Sequence, residues 1–182
     1  MILDKGFKEG SLTSLLFKNY NNSKLRSAIR IDSESMSYEE LYNKALQLAS
    51  TLKENGARNE TIAIVGHRNF STYIGILGVL FAGCNYTPIN PKSAKFKILE
   101  ILSGSRVNHL IGDYAGISQL QDQLDNNDLF GKSIITPLCC VKDKGGHRWM
   151  DKTNVDKTYS LSHPVDSDDS YLAYVLYTSG ST

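Results

Sequence analysis

The sequence predicts an α/β fold, a layered parallel sheet with helices on both faces. Short apolar strands alternate with helices of about 10–15 residues along the chain, and this alternation is typical of parallel sheets. The run Thr61–Val65 is apolar at nearly every position, as in a strand that is buried on both faces. With 182 residues, of which 41% are hydrophobic, the chain is long enough for one domain with a substantial core.

The first elements are predicted from short local patterns. Leucines at helical spacing predict a helix over Ser11–Tyr20, which Asn21–Ser23 should end. Apolar positions 29 and 31 predict a strand over Ser27–Ile31, and the polar residues Asp32–Ser35 predict a turn after it.

The clearest helix begins at Ser37 and is predicted to end at Gly56. Ser37 and Glu40 have the spacing of a capping box, in which each side chain bonds the backbone N–H of the other residue. Apolar residues then recur at helical spacing until the glycine, a common helix stop.

The later elements continue the alternation. They are a helix from Asn69–Ser71 to Ala82 that ends at Gly83, a strand at Asn85–Ile89, a helix at Ser93–Leu102, a strand at Val107–Ile111, a helix containing Gln119–Leu124, and one or two strands within Ser133–Val141. The polar stretch 142–170 predicts an exposed connection with room for a small hairpin. Leu172–Tyr177 predicts one more apolar strand.

The overall charge argues against several classes of partner. Twenty basic and 19 acidic residues give a formal net charge of +1, too balanced for a surface that binds nucleic acid or an anionic membrane. No apolar run reaches the roughly 18 residues of a membrane-spanning helix. Met1–Gly6 lacks the pattern of a signal peptide. We therefore expect a cytoplasmic protein that binds neither nucleic acid nor membrane.

The cysteines predict neither disulfides nor a metal site. Cys84, Cys139 and Cys140 are odd in number, and two of them are adjacent. The cysteines and the four histidines never fall at the short spacings of zinc ligands. Buried free thiols are the expected state.

The last five residues, Thr178–Thr182, carry the strongest chemical pattern. They read Thr-Ser-Gly-Ser-Thr and directly follow the last predicted strand. Small residues let backbone N–H groups approach anionic oxygens, and hydroxyls add further donors, so the pattern is typical of a loop that binds phosphate. It lacks the spaced glycines and the lysine of P-loop nucleoside triphosphatases. By itself, without its sequence context, the pattern favours a plain surface turn.

The nine residues that contain this loop resemble a family signature. Tyr174–Thr182 is similar, nearly letter for letter, to the signature of the adenylate-forming (AMP-binding) superfamily. That superfamily includes acyl-CoA synthetases, firefly luciferase and the adenylation domains of nonribosomal peptide synthetases.

Three earlier segments resemble the same family in the right order. Met36–Leu41 is similar to an early helix start, and Leu80–Pro91 to a glycine- and proline-containing element. Lys97–Ser105 resembles the helix that follows, which ends in serine. The family usually has Asp where Asn90 stands and Arg where Lys97 stands, which weakens any role that depends on those side chains.

The resemblance implies an ATP-dependent enzyme that adenylates a small carboxylic acid and releases pyrophosphate. A thiol, either phosphopantetheine on a carrier protein or coenzyme A, then accepts the acyl group, and Mg²⁺ accompanies ATP. The loop would bind the ATP phosphates, with hydroxyl donors from Thr178, Ser179, Ser181 and Thr182 and a tight backbone path at Gly180. The resemblance assigns no catalytic and no metal-binding residue within the chain.

By the same resemblance, residues 1–182 are a partial N-terminal adenylation domain truncated inside the phosphate-binding loop. The loop lysine, the adenine and ribose contacts, the acid pocket and the catalytic lysine of the family lie beyond position 182. We therefore expect no adenylation by this chain alone. We also expect an exposed apolar face where the missing remainder of the domain would pack.

The substrate class follows from the style of the signature. Asp168, Asp169, Tyr174 and Tyr177 resemble the peptide-synthetase and D-alanine-ligase branch, which favours an amino acid. Two alternatives stay open: an acyl- or aryl-CoA ligase of the same superfamily, and a non-catalytic docking or regulatory domain with this fold.

Overall fold

A computed structural model describes residues 12–125, 128–129, 132–135, 139–143, 146–150, 161–165 and 172–178. Within these ranges the chain forms helices that alternate with strands over most of its length. In chain order the elements are α1 (Leu12–Ser23), β1 (Ser27–Ile31), β2 (Glu34–Ser37), α2 (Tyr38–Glu54), β3 (Thr61–Val65), α3 (Phe70–Phe81), β4 (Asn85–Ile89), α4 (Lys95–Gly104), β5 (His109–Gly112), α5 (Tyr114–Gln123), β6 (Ser133–Ile135), β7 (Cys139–Asp143) and β8 (Gly146–Met150).

Four strands form a parallel sheet in the order β4-β3-β5-β6. In the centre, Ala63 of β3 lies opposite Thr87 of β4 on one side and Leu110 of β5 on the other. The strands β3 and β4 have the bounds that the sequence predicts. Because β4 is added on one side of β3 and β5 on the other, the strand order reverses between β3 and β5.

Helices cover both faces of the sheet, as the sequence predicts. Ile62 and Ile64 of β3 pack in one core with α2 and α3. Ala63 and Val65 pack in a second core with α4 and α5. All four side chains are buried, because alternate residues of a strand point to opposite faces. The predicted α/β class with a layered parallel sheet is confirmed.

The helix α1 adds a further layer outside α2 through aromatic contacts. Tyr20 stacks on Tyr42 with ring centroids 4.3 Å apart, and the Lys24 ammonium lies 4.7 Å from the Tyr20 ring. These contacts stabilise the last turn of α1, so the helix continues to Ser23. The predicted last residue, Tyr20, is therefore wrong, because the helix includes Asn21–Ser23 and ends there.

A second difference is the hairpin of β1 and β2, where only a turn was expected after β1. The turn narrows to Asp32 and Ser33, and Asp32 adopts a left-handed conformation with φ 53°. The four residues of β2 then pair antiparallel with β1 and bury Met36. So short a strand has too little sequence to show a period.

Elements after β4 are shifted along the chain. The helix α4 and the strand β5 both begin and end later than predicted. The predicted helix containing Gln119–Leu124 is α5, which ends at Gln123, with Leu124 as its C-cap. It begins at Tyr114, because the Asp113 side chain accepts a 2.7 Å hydrogen bond from the N–H of Gly116 and caps it.

Three helices end in the same backbone motif. In a Schellman motif the residue after the cap has a positive φ, and the next N–H reaches back to the last helical turn. Gly56 (φ 88°) and Gly83 (φ 70°) take this position after α2 and α3, as predicted. After α4 the position belongs to Arg106 (φ 49°), and Val107 donates to Leu102 O at 3.1 Å.

Part of the predicted connection 142–170 falls within the described residues. The strands β7 and β8 form an antiparallel hairpin. Further along, the N–H of Leu161 donates to Ser50 Oγ at 3.2 Å and the N–H of Val165 to Phe81 O at 2.7 Å. Residues 161–165 therefore contact α2 and α3. The exposure of the rest of this stretch stays a prediction.

Two further expectations concern single features. The side chain of Cys84 is buried and its thiol is free, as predicted, and burial raises the pKa of that thiol. The side chains of Cys139 and Cys140 lie outside the description. Among the described helices, none is both long and apolar enough to cross a membrane.

The capping box of α2 makes part of the stability pH-dependent. The N–H of Ser37 donates to Glu40 Oε2 at 2.8 Å, and the N–H of Glu40 donates to Ser37 Oγ at 3.2 Å. The hydrogen bonds from Ser37, its backbone N–H above all, lower the pKa of Glu40 from the ordinary 4.5. This stability is complete above the ordinary pKa and is lost as the pH falls through the lowered value.

We expect Ser37→Ala to lower the free energy of unfolding by about 1 kcal/mol at neutral pH, measured by urea denaturation. The loss should shrink once the pH falls below the lowered pKa of Glu40, where the carboxylate is protonated. Glu40→Gln is the matched control, because it keeps an acceptor without a charge and should remove the pH dependence. An equal loss from Ser37→Ala at pH 3 and pH 7 would contradict the assigned role.

A second stability test concerns Thr87 in β4. This residue is fully buried, and its hydroxyl has no hydrogen-bond partner within the described part of the chain. We expect Thr87→Val, which keeps the shape, to raise the free energy of unfolding by about 1 kcal/mol. The control Thr61→Val removes a hydroxyl that donates to Asn85 Oδ1 at 2.6 Å and should destabilise. Thermal and urea unfolding distinguish the two signs.

Candidate functional site

The segment that leads into the predicted phosphate loop lies beside the edge strand β4. The N–H of Tyr86 donates to Ala173 O at 3.2 Å, and the N–H of Val175 donates to Tyr86 O at 2.9 Å. These two bonds form a parallel bridge between Tyr86 and Tyr174, whose rings are 5.8 Å apart. The sheet therefore gains one more parallel chain segment next to β4.

This pairing is shorter than the strand predicted over Leu172–Tyr177. Only the single bridge forms, and the residues after it have no assigned strand structure up to Thr178. The next donor on β4 in a parallel ladder would be the N–H of Pro88, and proline has none. The proline thus explains why the ladder stops after Val175.

The segment has one open face and one covered face. Leu172, Tyr174 and Leu176 are 64%, 50% and 59% exposed. The alternate residues Val175 and Tyr177 are half-buried, and Tyr177 packs against the core on the α4 side. The open face of this segment is therefore apolar. That it is the face against which the remainder of a domain packs stays a prediction.

Tyr177, the residue before the loop, contacts the end of α4. Its hydroxyl shares a 3.0 Å hydrogen bond with the hydroxyl of Ser105. Its ring lies so close to Gly104 that a Cβ there would be 2.7 Å from Tyr177 Oη. The chain is thus attached at two points, to β4 and to α4, before it reaches Thr178.

Of the five predicted phosphate-binding residues, the structure describes one. Thr178 is exposed and follows Tyr177 directly, so its hydroxyl is accessible to a ligand. Ser179, Gly180, Ser181 and Thr182 lie outside the described residues. Their role stays a prediction from the sequence.

A polar cluster that the sequence analysis missed lies where the strand order reverses, at the carboxyl ends of β3 and β5. Asn69 caps α3 by accepting from Thr72 N–H at 2.9 Å, and its Nδ2 donates to Asp113 Oδ2 at 2.6 Å. Asp113 in turn caps α5 at Gly116. Doubly wound sheets commonly bind ligands in this crevice. Here the two caps bond each other across it.

The signal for this cluster was present but ambiguous. Asn69 and Asp113 each stand just before a helix that follows a buried strand, the usual place of a cap. Nothing in their spacing indicated that the two side chains meet. Close packing accompanies the contact, since a Cβ on Gly116 would lie 3.2 Å from Val65 O and 3.3 Å from Gly66 Cα.

At the opposite end of the sheet, where β3 and β5 begin, lies a smaller group of polar side chains. His109 Nδ1 lies 3.1 Å from Glu60 Oε1, though without hydrogen-bond geometry, and Asn108 Nδ2 donates to Glu60 Oε2 at 3.0 Å. Both partners of Glu60 are neighbours on β5 or just before it. In the described ranges no three or more His, Cys, Asp and Glu side chains are grouped as metal ligands.

Comparison with known proteins finds relatives that bind an adenosine nucleotide, by the description of their family. The profile of a family described as "AMP-binding enzyme" matches residues 16–182. Bacitracin synthase 3 from Bacillus licheniformis is 33% identical over 157 residues, which cover 86% of this chain and 2% of that protein.

Two solved structures share the fold of this chain. The crystal structure of IdnL7 matches with a TM-score of 0.74 and 26% identity over 97% of this chain and 34% of that chain. The AMPPNP-bound form of the nonribosomal peptide synthetase FmoA3 matches with a TM-score of 0.74 and 20% identity, over 97% of this chain and 17% of that one. The second match, at that identity, supports the fold alone. The chain thus spans about a third or less of each of these three proteins.

The bond between the two caps predicts a large effect of one substitution. Asp113→Ala removes the cap of α5 and leaves the Asn69 amide without its acceptor, so we expect a loss of about 2 kcal/mol in the free energy of unfolding. Asp122→Ala, an exposed change on the same helix, is the control and should stay within about 0.5 kcal/mol. Equal effects of the two, measured in urea, would contradict the bond.

Proposed function

Because this chain belongs to the AMP-binding enzyme family, we propose that it is part of an ATP-dependent enzyme that activates an amino acid by adenylation. The observation that carries the proposal is the attachment of the signature Tyr174–Thr182. Its first residue is bridged to β4, its fourth is bonded to α4, and its fifth, Thr178, is exposed. A loop that starts from such a point is well arranged to meet a phosphate chain.

The reaction proposed is a displacement at the α-phosphorus of ATP. A carboxylate oxygen of the acid forms a bond to that phosphorus, and the bond to the oxygen bridging the α- and β-phosphates breaks. Pyrophosphate leaves with the bond electrons, and an acyl-adenylate remains. No proton has to move if the acid enters as its carboxylate, so the enzyme contributes mainly orientation and charge stabilisation.

The loop residues would stabilise the charge on the departing pyrophosphate. Hydroxyls of Thr178, Ser179, Ser181 and Thr182 can donate to the β- and γ-phosphates, and Gly180 lets backbone N–H groups come close. Hydrogen bonds to a charged group contribute about 1.5–3 kcal/mol each. Thr178 is the one donor whose exposure the structure describes.

Mg²⁺ fits this proposal as a companion of ATP. This ion is usually bound through substrate phosphates and few protein carboxylates. The described residues have no metal-ligand group of their own, and the loop supplies hydroxyls suited to a magnesium–phosphate complex. When bound, the ion would neutralise phosphate charge.

The acid and the acceptor are proposed from the relatives. The curated relatives, bacitracin synthase 3 among them, match through adenylation domains of nonribosomal peptide synthetases, which supports an amino acid and a phosphopantetheine thiol on a carrier protein. The family whose model matches residues 16–182 is described as an AMP-binding enzyme, which supports ATP as the nucleotide. A coenzyme A ligase is less favoured for the same reason.

The binding half of the proposal is tested by NMR titration of the 182-residue chain with Mg·ATP. We expect weak, saturable binding, with a Kd on the order of 1 mM, and amide shifts confined to residues 172–182. The double change Thr178→Ala and Ser181→Ala should remove the shifts, and Ser35→Ala, an exposed hydroxyl on β2, should not. Shifts centred on Asn69 and Asp113 instead would overturn the site.

The catalytic half is tested by ATP–pyrophosphate exchange over amino, fatty and aryl acids. We expect no exchange from the chain alone, because the family resemblance assigns it one group of phosphate contacts and none of the acid-pocket residues. A chain that continues through the rest of an adenylation domain should exchange with an amino acid. Exchange with aryl or fatty acids alone would favour the coenzyme A ligase, and no exchange at all would favour the docking domain.

A further inference from the structure

Gly104 occupies an unusual place, the last turn of α4. Glycine lowers helix stability relative to alanine, and it is favoured after a helix end rather than inside it. The Schellman motif of α4 has its left-handed residue at Arg106, so Gly104 is not needed for the turn. Another contact must account for the glycine.

That contact is the ring of Tyr177. A Cβ at position 104 would lie 2.7 Å from Tyr177 Oη, 3.1 Å from Cε1 and 3.2 Å from Cζ. The distance to Oη is shorter than real Cβ atoms show and the other two are tighter than most, so a side chain here would displace the tyrosine. Gly104 therefore provides the space that Tyr177 occupies.

Ser105 holds the Tyr177 hydroxyl in one position by a hydrogen bond. Its hydroxyl is 3.0 Å from Tyr177 Oη, and its backbone N–H donates to Ile101 O at 3.0 Å as the cap of α4. The position of the serine is thus fixed by the helix end. A phenol bonded to it is fixed in turn.

Neighbouring residues of the same types do not make such contacts. Ser103, on the same turn, directs its hydroxyl to Leu99 O of its own helix. Tyr114 is 73% exposed, and Tyr174 is 50% exposed. The contact is therefore specific to positions 105 and 177. Ser103 and Tyr114 serve as the matched controls for Ser105 and Tyr177.

We propose that Gly104, Ser105 and Tyr177 form a tyrosine seat that sets where the phosphate-binding loop begins. This inference rests on the proposed function, because it assigns the seat to that loop. The ladder with β4 stops after Val175, so the seat is the second attachment of the segment, one residue before Thr178. Ser105 and Tyr177 are positioning residues, which act on ATP through the loop and need not touch it.

The physical basis is the entropy of ordering. A loop that starts from a fixed backbone position loses less conformational freedom when it closes around phosphate. If the seat is removed, Thr178 is tethered only through the bridge at Tyr174, and the loop samples more starting positions. Nucleotide affinity should then fall while the core of the sheet stays folded.

The first experiment measures the seat without nucleotide. In Tyr177→Phe and in Ser105→Ala we expect the backbone order parameter of Thr178 to fall from about 0.85 to below about 0.6. Tyr114→Phe and Ser103→Ala should leave it unchanged. In a double-mutant cycle, Tyr177→Phe should raise the unfolding equilibrium constant about five-fold in the original chain and hardly at all beside Ser105→Ala.

The substitution Gly104→Ala gives an independent test, because its effect on stability should have opposite signs with and without the Tyr177 ring. In the original chain it should raise the unfolding equilibrium constant about five-fold, because the tyrosine must move. Beside Tyr177→Ala the same change should lower that constant about four-fold, because alanine is the better helix former and the space is vacant. Gly104→Ala that stabilises in both backgrounds overturns the seat.

A third experiment measures nucleotide affinity and distinguishes failure of the tyrosine seat from failure of the proposed function. Tyr177→Phe and Ser105→Ala should each raise the Kd for Mg·ATP about five-fold, by NMR titration, and the controls should not. If the original chain shows no nucleotide-dependent shifts at 172–182, the proposed function fails whatever the cycle shows. If it binds Mg·ATP and the variants change neither Kd nor the order parameter of Thr178, the seat is refuted and the function stands.

Discussion

The rest of the structure depends on the burial of β3 on both faces. Four of the five residues of this strand are buried, so its peptide groups need partners, which β4 and β5 supply along its two edges. Its apolar side chains point alternately to two cores and require a helical layer on each side. Parallel pairing on both edges then requires a crossover helix after each strand, which fixes the positions of α3 and α4.

Sequence predicted those elements whose signals are local. The bounds of β3 follow from its continuous apolar run, and the start of α2 from a capping box that the structure reproduces bond for bond. The end of α1 and the strand β2 were not predictable in this way. One depends on Tyr20 stacking on a residue of another helix, and the other on pairing across a turn. Such contacts are invisible to periodicity.

The candidate site shows the same division. Residue types and a family resemblance pointed to the loop at Thr178–Thr182, whereas the contacts that position its start were not foreseen. Gly104 and Tyr177 are far apart in sequence, and glycine near a helix end is normally interpreted as a stop. The effect of Pro88, which ends the pairing of β4 with residues 173–175, was not predicted either. That effect falls on a segment that is remote from Pro88 in the chain. Distances in space, rather than residue types, carried this information.

The bond between Asn69 and Asp113 has a consequence for how the molecule opens. The helices that these residues cap lie on opposite faces of the sheet, α3 in one core and α5 in the other. Fraying of either helix therefore removes a partner from the other layer. Each face of the sheet has its own hydrophobic cluster. Even so, the two helical layers should open as a single cooperative unit, because neither layer can separate from the carboxyl ends of β3 and β5 without breaking a bond to the other.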